Sequence, residues 1–336
     1  MIDPYIGTKL KRDIYNDSGM MLVPRGTVLT AENLALIRRH QILLDNRNVD
    51  TDEDALVKQT ETLIARAAEA IQELFKTIRT KERIPLMEIE GQIIPSVNHV
   101  SGNPNLFSIL SGLQAKDDYT YRHNIGVAVI STMIGKWLHL DDAELSELTN
   151  AAILHDIGKI RIEDEILNKP GKFTDEEYAR MKQHAVFGYE IIRQTKDASP
   201  RIALAALQHH ERENGKGYPN RIMGPQIDFF SKIVAVADVF HAMTSNRVYR
   251  KAIPFYKVIR EISRQGYGEL DPAITRLFVL RIMEMTVGST VRLTDGRIGK
   301  VMMIHPVSPE SPLVEVECEY IDLSKEPEVQ IDVLLG

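Results

Sequence analysis

The sequence predicts a mainly α-helical protein with a small α/β module at its N-terminus and a small β-rich domain at its C-terminus. Three observations support this prediction. Residues 53–81 contain no Gly or Pro and repeat apolar side chains at helical spacing. Residues 95–285 alternate helix-capping patterns with apolar stripes. After about residue 287 the pattern changes to short alternating runs, which are typical of strands.

The N-terminal module is predicted to occupy residues 1–50. A short apolar run from Met20 to Val23 leads into the turn Pro24-Arg25-Gly26, which is typical of a strand followed by a turn. A helix is predicted to open at Thr30. We therefore expect a small module that mixes strands and a helix.

A long linking helix is predicted over residues 51–94. Alternating spacings of four and three define one stripe, formed by Thr60, Ile64, Ala67, Ile71, Leu74 and Ile78. Such a stripe either packs on the protein's own core or pairs with a second copy, as in a homodimer or a signalling helix. The pattern is too short to decide between the two.

The central residues 95–285 are predicted to form a helical domain that presents polar side chains from apolar helix faces. Three patterns predict helix starts: Asp141 with Glu144, Thr174 with Glu177, and Ser199-Pro200. His155 and His209 each end an apolar stripe, and Asp238 lies at helical spacing within another. Gly158 is expected to end the helix of His155, and Gly188 to allow close approach of another backbone. In helical bundles, metal sites are formed by side chains that project inward from separate packed helices.

The C-terminal residues 286–336 are predicted to form a small β-rich domain. The strand patterns are Val291-Arg292-Leu293 and Ile298 to Ile304, separated by the turn Asp295-Gly296. A third alternating run extends from Val314 to Tyr320.

Composition excludes several classes of function. A length of 336 residues with 43% hydrophobic residues is enough for a real core. The formal charge of -6, from 41 basic and 47 acidic residues, disfavours duplex nucleic acid as a partner. The N-terminus lacks a signal-peptide pattern, and no apolar run approaches the roughly 20 residues of a membrane span. With Cys318 as the one cysteine, no internal disulfide forms, and a cytoplasmic location is expected.

Adjacent metal-ligand residues make a multinuclear metal site the first functional hypothesis. His155 and Asp156 offer an imidazole nitrogen and a carboxylate whose two oxygens can reach different cations. The neighbours His209 and His210 would point roughly 100° apart on a helix, which favours ligation of two different ions. A site of the zinc-finger type is excluded, because the chain has no Cys-x-x-Cys pair.

Two motifs of the chain resemble those of a known protein family. His155-Asp156-Ile157-Gly158-Lys159, followed by the stretch from His209-His210-Glu211 to Gly217-Tyr218-Pro219, is similar to the HD-GYP phosphodiesterases of cyclic di-GMP signalling. The resemblance extends from about Asp118 to Arg250 and implies an HD-type helical bundle as the catalytic domain.

The resemblance also implies a set of site residues. The implied metal ligands, with Asp156 as the bridge, are His123, His155, Asp156, His184, His209, His210 and Asp238. Lys159 matches a lysine beside the attacked phosphate, and Arg247 and Arg250 match basic positions that hold phosphates. Gly217, Tyr218 and Pro219 are expected to contact the substrate. Some relatives carry a glutamate where Tyr119 stands, which would bind a third metal, so two divalent ions are expected here.

The implied cofactor is iron or manganese, although zinc, nickel and cobalt suit the same ligands. The implied reaction is hydrolysis of cyclic di-GMP to linear pGpG by a water that bridges the metals, and further hydrolysis to GMP is left open. GGDEF-type diguanylate cyclases are expected partners. Two further functions stay open: a catalytically weak or silent cyclic di-GMP receptor, and an HD phosphohydrolase that acts on another cyclic dinucleotide.

Two departures from the family pattern bear on the rate. The family usually has an acidic residue where Asn214 stands and commonly an aspartate where His241 stands. Neither position is a direct ligand, so changes there would act through loop order or ligand orientation. His241 and His305 are each interpreted as hydrogen-bonded core histidines.

Overall fold

The computed structural model describes most of the chain, in two compact units that extend up to Thr60 and from Glu61 onward. The described residues are 5–16, 18–42, 44, 49–50, 52–81, 83–113, 119–245 and 253–335.

The N-terminal unit combines short strands with one helix, as predicted. Its elements are β1 (Lys9–Leu10), β2 (Ile14–Tyr15), β3 (Met21–Val23), α1 (Ala31–Arg39) and β4 (Val49–Asp50). β1 pairs with β4 and β2 pairs with β3, both antiparallel. Thr30 caps α1 in a capping box with Asn33, which confirms the predicted helix start.

The long helix α2 (Asp52–Lys81) carries the predicted stripe. Within the second unit, Ile64, Ala67, Ile71, Leu74 and Ile78 are all buried in the main apolar core. This stripe therefore packs on the protein's own core, which is one of the two outcomes left open by the sequence. Pairing of α2 with a second copy would need a different face of the helix.

The rest of the second unit is mainly helical, which confirms the predicted fold class. Its helices are α3 (Leu86–Glu88), α4 (Ile94–Ser101), α5 (Leu106–Leu113), α6 (Tyr119–Trp137), α7 (Asp142–Leu154), α8 (Asp164–Leu167), α9 (Asp175–Lys182), α10 (His184–Arg193), α11 (Pro200–Gln208), α12 (Phe229–Thr244), α13 (Phe255–Gln265) and α14 (Pro272–Glu284). A π-helical turn (Ile89–Ile93) and two 3₁₀ turns (Ile157–Arg161 and Gly224–Gln226) lie between them. The predicted caps at Asp141, Thr174 and Ser199 are all formed.

Packing among five of these helices positions the site. α6 packs against α7 and α12, and α11 packs against α7, α10 and α12. The 3₁₀ turn Ile157–Arg161 packs against α10. These elements therefore surround one buried region.

The C-terminal strands form one antiparallel sheet in the order β8-β7-β6-β5-β9. The strands are β5 (Thr290–Leu293), β6 (Ile298–Met303), β7 (Leu313–Val316), β8 (Glu319–Asp322) and β9 (Ile331–Leu334). The predicted run from Val314 to Tyr320 is two strands, because Glu317 and Cys318 adopt positive φ values of 49° and 68° and turn the chain back. Buried residues of the sheet belong to the same apolar core as the helices. The division of the chain at 50, 94 and 285 stays a prediction.

Among the described residues, no helix is both long enough and apolar enough to span a membrane.

Candidate metal centre

The predicted ligand residues converge from the ends or interiors of separate helices. His155 caps the C-terminus of α7, and Asp156 follows it. His184 is the first residue of α10, and His209 caps the C-terminus of α11. The remaining three are His123 in α6, His210 directly after His209, and Asp238 in α12. The structure thus brings together all the residues that the resemblance implied as ligands.

Three of the histidines are held in one tautomer by backbone carbonyls. Nδ1 of His155 donates to Ala152 O at 2.7 Å, and Nδ1 of His184 donates to Met181 O at 2.7 Å. Nδ1 of His209 lies 3.0 Å from the carbonyl oxygens of Ala205 and Ala206, in the last turn of α11. Because a carbonyl oxygen only accepts, each Nδ1 carries the proton and each Nε2 presents a lone pair.

The side chains form two donor groups. His123, His155 and Asp156 make one group, and His184, His209 and His210 make the other. Within each group, one potential ligand atom from each residue lies within 4.8 Å of the others. The structure therefore offers two neighbouring places for a cation.

Asp156 contacts both groups through different oxygens. Its Oδ2 lies 3.4 Å from Nε2 of His155 and 3.8 Å from Nε2 of His123. Its Oδ1 lies 3.3 Å from Nε2 of His184 and 3.9 Å from Nε2 of His209. This is the arrangement that a carboxylate needs to serve two cations at once.

Asp238 adds a second carboxylate beside the first group. Its Oδ1 lies 3.1 Å from Nε2 of His123, and its Oδ2 lies 4.0 Å from Nδ1 of His210. Burial would raise the pKa of Asp156, but the charges of Lys159 and His155 outweigh it and hold the pKa well below its usual range. At Asp238 burial is outweighed by the contact with His123, and the pKa is again well below its usual range. Both side chains are therefore carboxylates near neutral pH.

The histidines differ in how strongly their environment favours the neutral form. Burial lowers the pKa of His123 and of His184. Burial, together with the charges of His155 and His184, lowers the pKa of His209 to about 3. Burial also lowers the pKa of His210 well below its usual value. His155 is the exception, since burial is outweighed there by the charge of Asp156 and its pKa is raised.

This donor set fits divalent metal ions. Metal ligands must be deprotonated. The ionised carboxylates and the four histidines with lowered pKa values meet that condition, and a bound cation would favour the neutral form of His155 as well. Nε2 of His155 is buried and has no hydrogen-bond partner among the described residues. A buried lone pair and two buried carboxylates call for a compensating cation in the space between them.

The structure does not support the expected division of the adjacent histidines between two ions. His209 and His210 were expected to serve different ions, but both belong to the group of His184, and their ring centroids are only 4.0 Å apart. The reason is that α11 ends at Gln208, so the angular spacing of a helix does not apply to this pair.

Close backbone packing fixes the position of the His155-Asp156 segment. A Cβ at Gly158 would lie 1.9 Å from His184 O and 2.4 Å from Gly188 N. The predicted close approach at Gly188 is thus confirmed. The prediction that Gly158 ends the helix of His155 is wrong, because α7 already ends at Leu154 and Gly158 lies in the following 3₁₀ turn. Its lack of a side chain serves the contact with α10.

Lys159 lies beside Asp156. Its Nζ donates to Oδ2 of Asp156, and about a quarter of its side chain is exposed. A partly exposed cation beside the Asp156 carboxylate is well placed to meet an anionic ligand.

The Gly217-Tyr218-Pro219 loop packs on the histidine pair. A Cβ at Gly217 would lie 2.4 Å from Glu211 Cα and 2.5 Å from His210 O, so only glycine fits. The ring of Tyr218 stacks on that of His210, with centroids 4.5 Å apart and planes 28° apart. The backbone N–H of Tyr218 donates to His210 O at 3.2 Å. The loop therefore positions His210, one of the predicted ligands, in addition to the substrate contact that the resemblance implies.

Glu211 holds this loop from below, a role that the sequence did not assign. Its Oε1 accepts from the backbone N–H groups of Asn220 and Arg221 at 2.7 and 3.1 Å. Glu211 is 2% exposed, which is rare for a glutamate. The signal for this role in the sequence was its position directly after the two histidines. Asn214 is exposed, and its Oδ1 accepts from Lys216 N at 3.0 Å, which orders the start of the loop.

Three sequence-predicted positions cannot be placed relative to the centre. Arg247 and Arg250 lie outside the described residues, and α6 begins at Tyr119, whose side chain is not described.

We expect Tyr218→Ala to weaken metal binding by the group of His184, His209 and His210 by about 3- to 10-fold. The reason is that an aromatic contact of this kind is worth about 0.5–1.5 kcal/mol. Competition titration against a chromophoric chelator measures the change. Tyr218→Phe keeps the ring and should bind metal like the wild type; an equal loss in both variants would contradict a role for the stacked ring.

The profile of the HD domain family matches residues 107–274, half of the chain. The chain belongs to the HD domain family. The match includes every residue of the two donor groups, and the HD-GYP resemblance predicted from the motifs is confirmed by this profile and by the relatives.

Characterised relatives of this HD domain chain act on cyclic dinucleotides. A cyclic di-GMP phosphodiesterase of Pseudomonas aeruginosa is 33% identical over 260 residues, which cover 77% of this chain and 63% of that protein. A cyclic di-GMP phosphodiesterase of Thermotoga maritima is 38% identical over 188 residues, covering 54% of this chain and 50% of that protein. A 3′3′-cGAMP-specific phosphodiesterase of Vibrio cholerae is 35% identical over 160 residues. The match covers 48% of this chain and 35% of that protein.

The chain spans between about a third and two thirds of the length of these relatives. Among solved structures, the HDG"Y"P protein Bd1817 from Bdellovibrio bacteriovorus matches with a TM-score of 0.53 and 17% identity. The match covers 82% of this chain and 94% of that one. At this identity the likeness supports the fold alone.

Proposed function

We propose that the chain is a metal-dependent phosphodiesterase that hydrolyses cyclic di-GMP to linear pGpG. The observation that carries the proposal is the position of Asp156, whose two carboxylate oxygens face two separate groups of imidazoles. A carboxylate shared between two cations is the core of a two-metal phosphodiester hydrolase. The named activities of the relatives supply the substrate class.

Two divalent cations would be held by this chain's own residues. His123, His155 and Asp238 would hold one ion, and His184, His209 and His210 the other, with Asp156 shared by both. Iron or manganese is the proposed metal, while zinc, nickel and cobalt are compatible with imidazole and carboxylate ligands. Tyr119 offers no carboxylate for a third ion.

Bound cations would supply a water nucleophile that is deprotonated near neutral pH and would neutralise charge on the phosphate. Lys159 contributes a positive charge beside Asp156, where the attacked phosphate would lie. Arg247 and Arg250 are proposed to hold the second phosphate, since guanidinium groups bind phosphate in a bidentate manner. Gly217 and Tyr218, followed by Pro219, would shape the edge of the substrate site while supporting His210.

A second candidate substrate has specific support. The similarity to the 3′3′-cGAMP-specific enzyme of Vibrio cholerae makes 3′3′-cGAMP the second cyclic dinucleotide to test. A catalytically weak or silent receptor for cyclic di-GMP would share the fold but would give no product.

Product analysis separates these functions. Anaerobically purified, metal-loaded protein is incubated in parallel with cyclic di-GMP and 3′3′-cGAMP, and the products are resolved by ion-exchange chromatography. We expect linear pGpG from cyclic di-GMP to form fastest. Faster turnover of 3′3′-cGAMP would support the second candidate, and tight binding of cyclic di-GMP without product over hours would replace the enzyme with a receptor.

Lys159→Met should lower turnover by about 100-fold while metal content stays unchanged, because removal of one preorganised charge at a reacting phosphate costs that order of rate. Steady-state product formation and metal analysis of the same sample measure both quantities. Lys196→Met, which removes an exposed lysine after α10, is the matched control. Wild-type turnover in Lys159→Met would remove Lys159 from the proposed mechanism.

We further propose a cytoplasmic protein that docks GGDEF-type diguanylate cyclases. A homodimer through α2 remains part of the proposal only for faces of that helix other than the buried stripe.

A further inference from the structure

The fourth histidine with a defined Nδ1 contact, His123, differs from the other three. Its Nδ1 lies 3.0 Å from Nδ1 of His241, a residue of α12 that is 1% exposed. His155, His184 and His209 instead contact backbone carbonyl oxygens through Nδ1. His123 is thus the ligand residue in this set that another imidazole positions.

The packing around His241 leaves room for its ring beside His123. A Cβ at Gly126 would lie 2.1 Å from both Cδ2 and Nε2 of His241, so α6 leaves a gap for the ring one turn after His123. Oγ of Ser245 lies 3.3 Å from Nδ1 of His241 and 3.2 Å from its Nε2. Glycine on one helix and serine on the other therefore keep the ring against His123.

The two Nδ1 atoms constrain each other, because one must donate and the other must accept. Without a cation, Nε2 of His123 faces Oδ1 of Asp238 at 3.1 Å and donates to it, so His241 donates to Nδ1 of His123. With a cation on Nε2, the proton of neutral His123 resides on Nδ1, and His241 must accept it. An imidazole can do both, whereas the carbonyl partners of the other histidines can only accept.

We propose that His241 is a positioning residue for the cation held by His123, in which it accepts the Nδ1 proton of His123 once that cation is bound. The inference rests on the proposed metal centre and adds to it a distinction between the two ions. The ion of His184, His209 and His210 meets two histidines already fixed by carbonyls, while the ion of His123 depends on the tautomer of His241. Loss of the acceptor should therefore lower the affinity for one ion and leave the affinity for the other unchanged.

The test compares three substitutions in the full chain by titration with Co²⁺, followed by absorption spectroscopy and by metal analysis. His241→Leu removes the acceptor and should lower the affinity for one of the two ions by about 10- to 100-fold, with the other affinity unchanged. His241→Asn places an amide oxygen close to the position of Nδ1 and should restore that affinity to within a few-fold. His305→Leu, in the C-terminal domain two residues after β6, is the matched control and should bind both ions as the wild type does.

Thermal melting of the metal-free variants separates positioning from folding. If His241→Leu lowered the affinities for both ions equally and His241→Asn did not restore them, His241 would only contribute to the core. The inference would then be overturned. Unchanged affinities for both ions in His241→Leu would also overturn it, with the metal centre intact. Wild-type protein that bound no Co²⁺ at all would instead overturn the metal centre itself, and the inference with it.

Discussion

Replacement of Asp156 with alanine is expected to abolish the binding of the metal pair and to reduce turnover of cyclic di-GMP by about 1,000-fold or more. The side chain faces both imidazole groups, with oxygen-to-nitrogen distances of 3.3 Å to His184 and 3.4 Å to His155. A catalytic metal supplies several kcal/mol of transition-state stabilisation, and about 4 kcal/mol corresponds to that factor. Metal analysis and product chromatography on one sample measure both effects.

Asp142→Ala is the control for this substitution, because Asp142 is an exposed aspartate in the first turn of the helix that leads to Asp156. It should keep both ions and full turnover. Asp156→Asn tests the charge alone, since the amide keeps the shape of the side chain but removes its negative charge. This variant should also fail to bind the two metal ions. Retained turnover in either Asp156 variant would refute the bridging role.

Gly158→Ala is expected to destabilise the metal-free protein by about 1–3 kcal/mol and to abolish metal binding by the group of His184. The added methyl group would meet backbone atoms of His184 and Gly188, which cannot move aside as a flexible side chain can. Either the 3₁₀ turn, which directly follows Asp156, or α10, which begins at His184, must shift. Chemical denaturation and Co²⁺ titration measure the two effects.

The matched control is Gly91→Ala, since a Cβ at Gly91 would meet no described atom within 4 Å. It should leave metal binding unchanged and alter stability only slightly. Wild-type stability of Gly158→Ala would show that the backbone contact with α10 can relax, and the positioning role of Gly158 would fail.

The sequence predicts the elements that depend on local patterns. The capping boxes at Asp141 and Thr174 form as expected, because a side chain and an N–H three residues apart decide them. The stripe of α2 is equally local, but its partner is not, so only the structure shows that it packs on the chain's own core. The hairpin at Glu317 and Cys318 was missed because neither residue is typical of positive φ.

The residues that converge at the candidate site could be predicted from the motifs, whereas the contacts that orient them could not. Backbone carbonyls that fix His155 and His184 leave no trace in side-chain identity. The contact between His123 and His241 joins residues 118 positions apart, and nothing local predicts it. The pairing of His209 with His210 in one group depends on where α11 ends, and helix ends are the least certain feature of a sequence pattern.

The most direct test of the central claim is an anomalous-diffraction measurement on crystals of the anaerobically purified, metal-loaded protein at the iron and manganese absorption edges. The account predicts two anomalous peaks, one on each side of the Asp156 carboxylate, near His123 and His155 on one side and near His184, His209 and His210 on the other. A single peak at full loading, or two peaks that do not share Asp156, would contradict it.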